Sequence, residues 1–268
     1  MTVIPDVLAL VSAATERDGV GPLSEHALLA LRKTGAGSVR RSGGEIVGYA
    51  YSDDEAAELV VHPDHRRQGH GRALAQALLP TRFWAHGDLP AAAALAGSLG
   101  LARVRGLLQL KLSFDGALPE TVLPEGVRIR TFEPGRDEDA WLRTNARAFA
   151  HHPEQGGWTR ADLLDREAEP WFDPSGFFLA EDGFGHLLGF HWTKIHKPGP
   201  IGEVYVVGVD PDAQGTGLGR ALTLLGLHHL REAGLPAVML YADESNRAAV
   251  RLYESLGFTQ WAVDVMYA

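Results

Sequence analysis

One run of the chain occurs twice. Leu59-Val60-Val61-His62-Pro63-Asp64-His65-Arg66-Arg67-Gln68-Gly69-His70-Gly71-Arg72-Ala73-Leu74 aligns without gaps on Val207 to Leu222. Both copies read as the end of a buried strand, a Pro-Asp stop, a glycine loop and the start of a helix. A repeat of this kind points to two similar units in tandem, and 268 residues suffice for two ordinary domains. In the second copy Val204 to Val209 is the β-branched strand, Asp210-Pro211 stops it, and Ala221 to Glu232 is a helix closed by Gly234.

Glycines at 215, 217 and 219 leave no side chain over the backbone N–H groups, which converge with those of the first helical turn on one small volume. That volume suits a phosphate, or else the glycines only let the helix pack closely. Two phosphate loops are excluded by spelling. No Gly-Lys-Ser/Thr is present, and Arg220 stands where the last glycine of G-x-G-x-x-G belongs. What does fit is Gln214-x-x-Gly217-x-Gly219, followed after one helix and the strand Val238 to Ala242 by Asn246-x-x-Ala249-x-x-x-Tyr253-x-x-x-Gly257-Phe258. The latter reads as a helix capped by Asn246 and ended by Gly257, with Phe258 folding back on its last turn.

These two motifs, in this order, resemble the GCN5-related N-acetyltransferases (the GNAT family). The resemblance implies an α+β (α/β) fold in each half, a mixed and mostly antiparallel sheet flanked by helices, and acetyl-coenzyme A held by the glycine loop. Arg66-x-x-Gly69-x-Gly71 is a second copy of the loop signature. Asp115 to Gly126, rich in proline, glycine and acidic residues, has the composition of a linker. The expected division is therefore 1–118, a linker at 119–126, and 127–268. Helices are predicted at Ile4 to Arg17, Ser24 to Arg32 (capped by Ser24), Leu89 to Leu99, Asp137 to Phe149 and Thr159 to about Glu167. Strands are predicted at Gly37 to Arg41, Ile46 to Ser52, Glu55 to Val61, Thr81 to Ala85, Val127 to Phe132, Gly176 to Glu181 and Leu187 to Ile195. Aligning Gly100 on Gly257 puts Ala96 opposite Tyr253, so the first half should be the non-catalytic one.

Acetyl transfer to an amine needs a neutral nucleophile, a stabilised oxyanion and an acid for the thiolate. Glu203 opens the central strand, and its carboxylate can take the proton of an α-amine, which titrates near ~7.7; an exposed strand-end glutamate is the plain alternative. The N–H groups of Val207 to Val209 are candidate oxyanion donors, since Gly208 within a strand often marks a bulge. Tyr253, near ~10 as a free phenol, is the candidate acid for a thiolate whose acid titrates near ~8.5; a core tyrosine is the alternative. His151-His152 beside Glu154 lacks further ligands at a recognisable spacing, so no metal is expected.

The tandem layout and the stretch Asn145 to Trp158 resemble, more narrowly, those family members that acetylate the cysteine amine of a cysteinyl-glucosaminyl-inositol. That resemblance implies substrate contacts from Glu25, Glu154, Lys194, Glu203 and Tyr241. It implies a reactive acetyl-coenzyme A on Val207, Gly208 and Val209, on Gln214, Gly215, Thr216, Gly217, Leu218, Gly219 and Arg220, and on Asn246, Arg247, Ala248, Ala249, Val250 and Arg251. A second would lie on Leu59, Val60 and Val61 with Arg67, Gln68, Gly69, His70, Gly71 and Arg72. An acetyltransferase for aminoglycosides or peptide N-termini, or an acyl-coenzyme A sensor without turnover, would carry the same loops.

Composition fits a small-molecule enzyme. A formal charge of -9 argues against nucleic-acid partners, and Cys 0 leaves no disulfide, thiolate metal site or thiol nucleophile. No apolar run reaches the roughly 18 residues of a membrane helix, and the N-terminus lacks a basic secretory start, so a cytoplasmic monomer is expected.

Overall fold

The computed structural model describes residues 3–79, 81–152, 155–196 and 199–268. Contacts divide the chain into two compact units: Met1–Leu108 with Asp243–Ser245 and Trp261–Ala268, and Gln109–Ala242 with Asn246–Gln260.

The first unit contains α1 (Ile4–Asp18), α2 (Glu25–Thr34), β1 (Ser38–Ser42), β2 (Glu45–Ser52), β3 (Ala57–Val61), α3 (His70–Leu78), β4 (Phe83–Ala85), α4 (Pro90–Ser98) and the start of β5 (Arg103–Ser113). Ser24 caps α2 as expected, its hydroxyl accepting the Ala27 N–H at 3.2 Å. The strands β1, β2 and β3 pair antiparallel, whereas β3 and β4 run parallel and meet at Ala57 and Phe83. Val7, Leu10 and Ala14 of α1 and Ala27 and Leu31 of α2 pack on Tyr49, Tyr51 and Val60 of the sheet. Full burial of one such aliphatic side chain contributes about 1.5–3 kcal/mol, so this face holds both helices to the strands.

The second unit contains the end of β5, then β6 (Arg128–Thr131), α5 (Glu138–Ala148), α6 (Arg160–Glu167), β7 (Phe177–Glu181), β8 (Leu187–Ile195), β9 (Ile201–Val209), α7 (Leu218–Glu232), β10 (Ala237–Asp243), α8 (Arg247–Ser255) and the start of β11 (Thr259–Tyr267). β6 to β9 form an antiparallel ladder, and β10 joins β9 in parallel. Phe132, Phe177 and Trp192 stack face to face, with centroids 4.4 and 4.5 Å apart, and Trp141 meets them edge-on. α6 opens on a capping box between Thr159 and Asp162, which fixes its start where the sequence places it.

The repeat is a repeat of backbone geometry. His62 and Asp210 take φ/ψ of −51/133 and −52/136, Arg66 and Gln214 −70/161 and −70/156, and Gly69 and Gly217 86/−3 and 87/−2. In each turn the first side chain accepts an N–H two residues on, His62 Nδ1 from Asp64 and Asp210 Oδ1 from Asp212. Arg67 holds φ 63 where the second copy has Gly215 at φ 78, a conformation that costs a non-glycine residue roughly 1–2 kcal/mol.

Two strands depart from the sequence reading, which named neither β5 nor β11. β5 passes from the first unit to the second within its own length, and residues 261–267 of β11 return to the first unit, where Val265 pairs with Ala85. Strand pairing thus decides which residues pack together, so that residues 243–245 and 261–268 belong to the first unit and residues 109–126 to the second. The segment at 119–126 has no helix or strand and lies in the second unit, where the Pro119 carbonyl lies 2.9 Å from His228 Nε2.

Residue 264 of that returning strand fixes a buried ion cluster. His86 Nδ1 lies 3.1 Å from Asp264 Oδ2, and His86 Nε2 lies 3.6 Å from Glu58 Oε2. Asp264 also accepts the Gly87 N–H at 2.8 Å, and Glu58 the Ser24 N–H at 2.6 Å. Burial pulls the imidazole pKa down, but the bonds and charges of Asp264 and Glu58 outweigh it and raise it to about 10. A folded value above the unfolded ~6.5 gives stability that is complete below pH 6.5 and is lost as pH rises through about 10. Urea unfolding of the first unit should accordingly show falling stability between those limits, and His86→Gln should abolish that slope; equal slopes in both proteins would exclude a charged His86.

Candidate active site

The site begins where two strands part. β10 pairs with β9 from Ala237 on Ile201 to Leu240 on Val204, but β9 continues to Val209 and β10 to Asp243. From Tyr205 onward the β9 edge facing β10 leaves the ladder, and buried backbone N–H and C=O groups need partners. An extended amide-bearing ligand can supply them.

At the end of β9 the chain enters the glycine loop. Gly215 and Gly217 hold φ 78 and 87 with nothing within 4 Å of a Cβ at either, so backbone conformation and not space requires glycine there. Leu218 then starts α7, a helix of 15 residues whose first N–H groups have no partner within the helix. Leu218 is itself buried, so what it offers a ligand is its backbone. Two carboxylates sit in this turn, Asp210 and Asp212. Arg147 from the end of α5 binds both, at 2.6 and 3.0 Å to Asp210 and 2.8 Å to Asp212, which offsets negative charge beside an anion cradle and holds Asp210 below the usual carboxylate range. Sequence reasoning missed this arginine, which lies 63 residues from its partner.

α8 completes the wall. Asn246 Oδ1 accepts the Ala249 N–H at 3.1 Å, Gly257 ends the helix at φ 95, and the Phe258 N–H donates to the Tyr253 carbonyl. Phe258 packs on the Tyr253 ring at 5.7 Å, as the motif implies. Arg220 of α7 donates to Ser255 Oγ of α8 at 3.1 Å. Val250 and Tyr253 face inward on α8, while Asn246, Arg247, Ala248 and Arg251 are exposed. Tyr253 is 7% exposed, burial pushes its phenol up to about 12, and its hydroxyl makes no hydrogen bond among the described residues.

Glu203 is not an exposed strand-end glutamate. It is buried, and its Oε2 lies 2.7 Å from Nε2 of His196, a residue to which sequence reasoning gave no role. Lys194 faces Glu203 across the β8–β9 ladder and is also buried, its Nζ 4.3 Å from the Trp171 ring centroid and 5.0 Å from that of Tyr205. The Tyr205 hydroxyl accepts Arg166 Nε at 2.9 Å, and the Arg166 guanidinium lies over Trp158. Cation–π contacts of this kind stabilise a desolvated ammonium by ~2 kcal/mol.

The bulge expected at Gly208 lies elsewhere. Trp192 pairs with Val206 and Thr193 with Val204, so Tyr205 is the extra residue, whereas Gly208 pairs regularly with Phe190. A Cβ at Gly208 would come within 2.7 Å of the Phe190 ring, so this glycine serves the core. Tyr241, the first β10 residue beyond the last pair with β9, is 43% exposed. Glu25 lies in the first unit, half-buried in the first turn of α2, and Glu154 lies outside the described residues.

The first unit has its own cavity, of about 670 Å³, within the usual range for small-molecule sites. Leu59, Val60, Val61, Arg67, Gly69, His70, Gly71 and Arg72 line it, as does Ala96, and Gln68 does not. Arg66, also on its wall, is tied to Asp18 of α1 by two bonds of 2.8 and 2.7 Å. Among the described residues no group of three or more His, Asp or Glu could hold a metal ion, and no helix is long and apolar enough to cross a membrane.

Comparison with known proteins agrees with this geometry. The sequence pattern of the acetyltransferase (GNAT) family matches residues 140–258, and that of an acetyltransferase (GNAT) domain matches residues 33–100. The chain is 64% identical to a mycothiol acetyltransferase of Thermomonospora curvata, over 98% of this chain and 93% of the relative. It is 61% identical to the mycothiol acetyltransferase of Thermobispora bispora, over 97% and 94%. Among solved structures, a GCN5-related N-acetyltransferase from Sphaerobacter thermophilus superposes with a TM-score of 0.73 at 25% identity, covering 99% of this chain and 91% of that one. A tandem GNAT protein from the clavulanic acid biosynthesis pathway shares the fold, with a TM-score of 0.71 at 22% identity over 99% and 94%. The chain belongs to the GNAT acetyltransferase family, with two copies of the domain in tandem, and the relatives it matches over nearly their whole length are mycothiol acetyltransferases.

Proposed function

We propose that the chain is an acetyl-coenzyme A-dependent N-acetyltransferase that acetylates the cysteinyl amine of a cysteinyl-glucosaminyl-inositol, giving mycothiol, and that the second unit carries the reaction. The observation that carries this reading is the conjunction, in one unit, of the parted strands, the glycine loop and a buried phenol whose hydroxyl has no hydrogen bond among the described residues, in a chain 64% identical to a mycothiol acetyltransferase. The first unit would hold a second acetyl-coenzyme A without turnover, since Ala96 stands where the second unit has Tyr253. A monomer in the cytoplasm is part of the same reading.

Acetyl-coenzyme A, as substrate, supplies the thioester. Its diphosphate fits the N–H groups from Gly215 to Gly219 and the start of α7, and its amide arm fits the open edge of β9 at Val207 to Val209. Exposed Asn246, Arg247 and Arg251 stand at the start of α8 to meet its polar groups. Glu203 takes a proton from the substrate ammonium and so frees the lone pair that attacks. Lys194, Glu154 and Tyr241 would contact the hydroxyl-rich acceptor.

The phenol needs a different role from a simple acid. A group at about 12 would give its proton to a thiolate only against ~3.5 pH units, or ~5 kcal/mol. Tyr253 therefore stays protonated and donates a hydrogen bond to the sulfur as charge collects there. That stabilises the departing thiolate without a completed uphill transfer.

Tyr253→Phe should lower kcat by about 10²-fold with the KM for acetyl-coenzyme A within about threefold, and Glu203→Gln should do the same. Free-thiol release with the cysteinyl-glucosaminyl-inositol measures both; turnover on peptides alone, or none on any amine, would overturn the reading. Because burial raises the phenol pKa, the kcat profile should show no descending limb from Tyr253 until pH approaches about 12. A limb near pH 10 that vanishes in Tyr253→Phe would contradict it.

A further inference from the structure

The proposed reaction has a proton to dispose of. An ammonium and a thioester enter, an amide and a thiol leave, and one proton goes to water. Glu203, the group that would receive it, has a side chain only 7% exposed, whereas the side chain of His196, bonded to it at 2.7 Å, is 35% exposed. The His196 N–H donates to the Ile201 carbonyl at 3.1 Å, which closes β8 onto β9 and fixes the imidazole beside the first turn of the strand that carries Glu203. Lys194 is the charged residue opposite Glu203 in the ladder, and His196 has no other ion pair among the described residues.

We propose that His196 is the proton outlet of the active site, a positioning residue that acts through Glu203; this rests on Glu203 being the base. The N–H bond of the ammonium breaks and an O–H bond forms on Glu203. That proton crosses to Nε2 of His196 in its Nδ1–H tautomer, the imidazolium releases the Nδ1 proton to water, and exchange of the ring protons with water restores the Nδ1–H tautomer for the next turnover. Charge and atoms balance, and no electron is transferred. Without the imidazole, a protonated Glu203 would return to its carboxylate only through its own narrow exposure, so each turnover would wait on that step.

The experiment compares wild type, His196→Ala and His196→Gln in acetyl transfer to the cysteinyl-glucosaminyl-inositol across pH 6 to 9, with and without added imidazole. The expected result is a kcat lowered about tenfold or more in both variants, both KM values within about threefold, a changed acid limb, and partial rescue of His196→Ala by imidazole. Wild-type kcat and pH dependence in the variants would overturn the inference. So would a loss that imidazole does not restore in well-folded His196→Ala. Should His196→Ala fail to fold, an unchanged pH profile in His196→Gln would overturn it equally. A wild-type enzyme inactive on this amine would remove the functional reading itself, whereas an active one with indifferent variants removes only the outlet.

Discussion

The parallel pairing of β9 with β10 lasts for four residue pairs and then stops, and the proposed reaction in the second unit depends on that opening. A sheet that stayed closed would spend the backbone groups of Val207 to Val209 on β10 and leave no edge for a ligand. On the other side of β9 the ladder to β8 runs to Val209, so one strand is rigidly held along one edge and free along part of the other. Tyr205, the bulged residue, marks the change. It is the first β9 residue beyond the last pair with β10, and it also turns its ring to Trp171 and Lys194. The bulge against β8 and the end of the pairing with β10 thus coincide at one residue, whose ring also lies beside Lys194.

The two units show how one turn can be kept while the chemistry around it changes. Backbone angles at His62 and Asp210, Arg66 and Gln214, and Gly69 and Gly217 agree within a few degrees between copies, yet the side chains differ. The second loop has glycine at 215 and Arg147 offsetting its two aspartates, whereas the first carries Arg67 in the left-handed region and Arg66 bound to Asp18. A cavity of about 670 Å³ lies in the first unit, whose α4 has alanine where α8 has a phenol.

Much of this was legible in the residues because it rests on local rules. Ser24, Thr159 and Asn246 cap their helices where capping chemistry puts them, β8 has the limits read from the sequence, and the glycine loop has the angles its spelling requires. What escaped depends on partners far apart in the chain. Leu108, Leu110 and Leu112 alternate with polar residues, and so do Val263 and Val265 in β11, but nothing local says that these strands change units. The bulge went to Tyr205 and not Gly208 because register between two strands sets it, and the glycine was needed for Phe190. For Glu203 an exposed strand start was the plain alternative to a base; the ladder to β8 buries it and brings His196 alongside.

A crystal structure of the protein soaked with acetyl-coenzyme A tests the central claim most directly. The account predicts diphosphate oxygens on the N–H groups between Gly215 and Gly219, the amide arm along the open edge of β9, and the thioester sulfur within about 3.5 Å of the Tyr253 hydroxyl. Coenzyme density confined to the first-unit cavity, or a Tyr253 hydroxyl turned away from the sulfur, would contradict it.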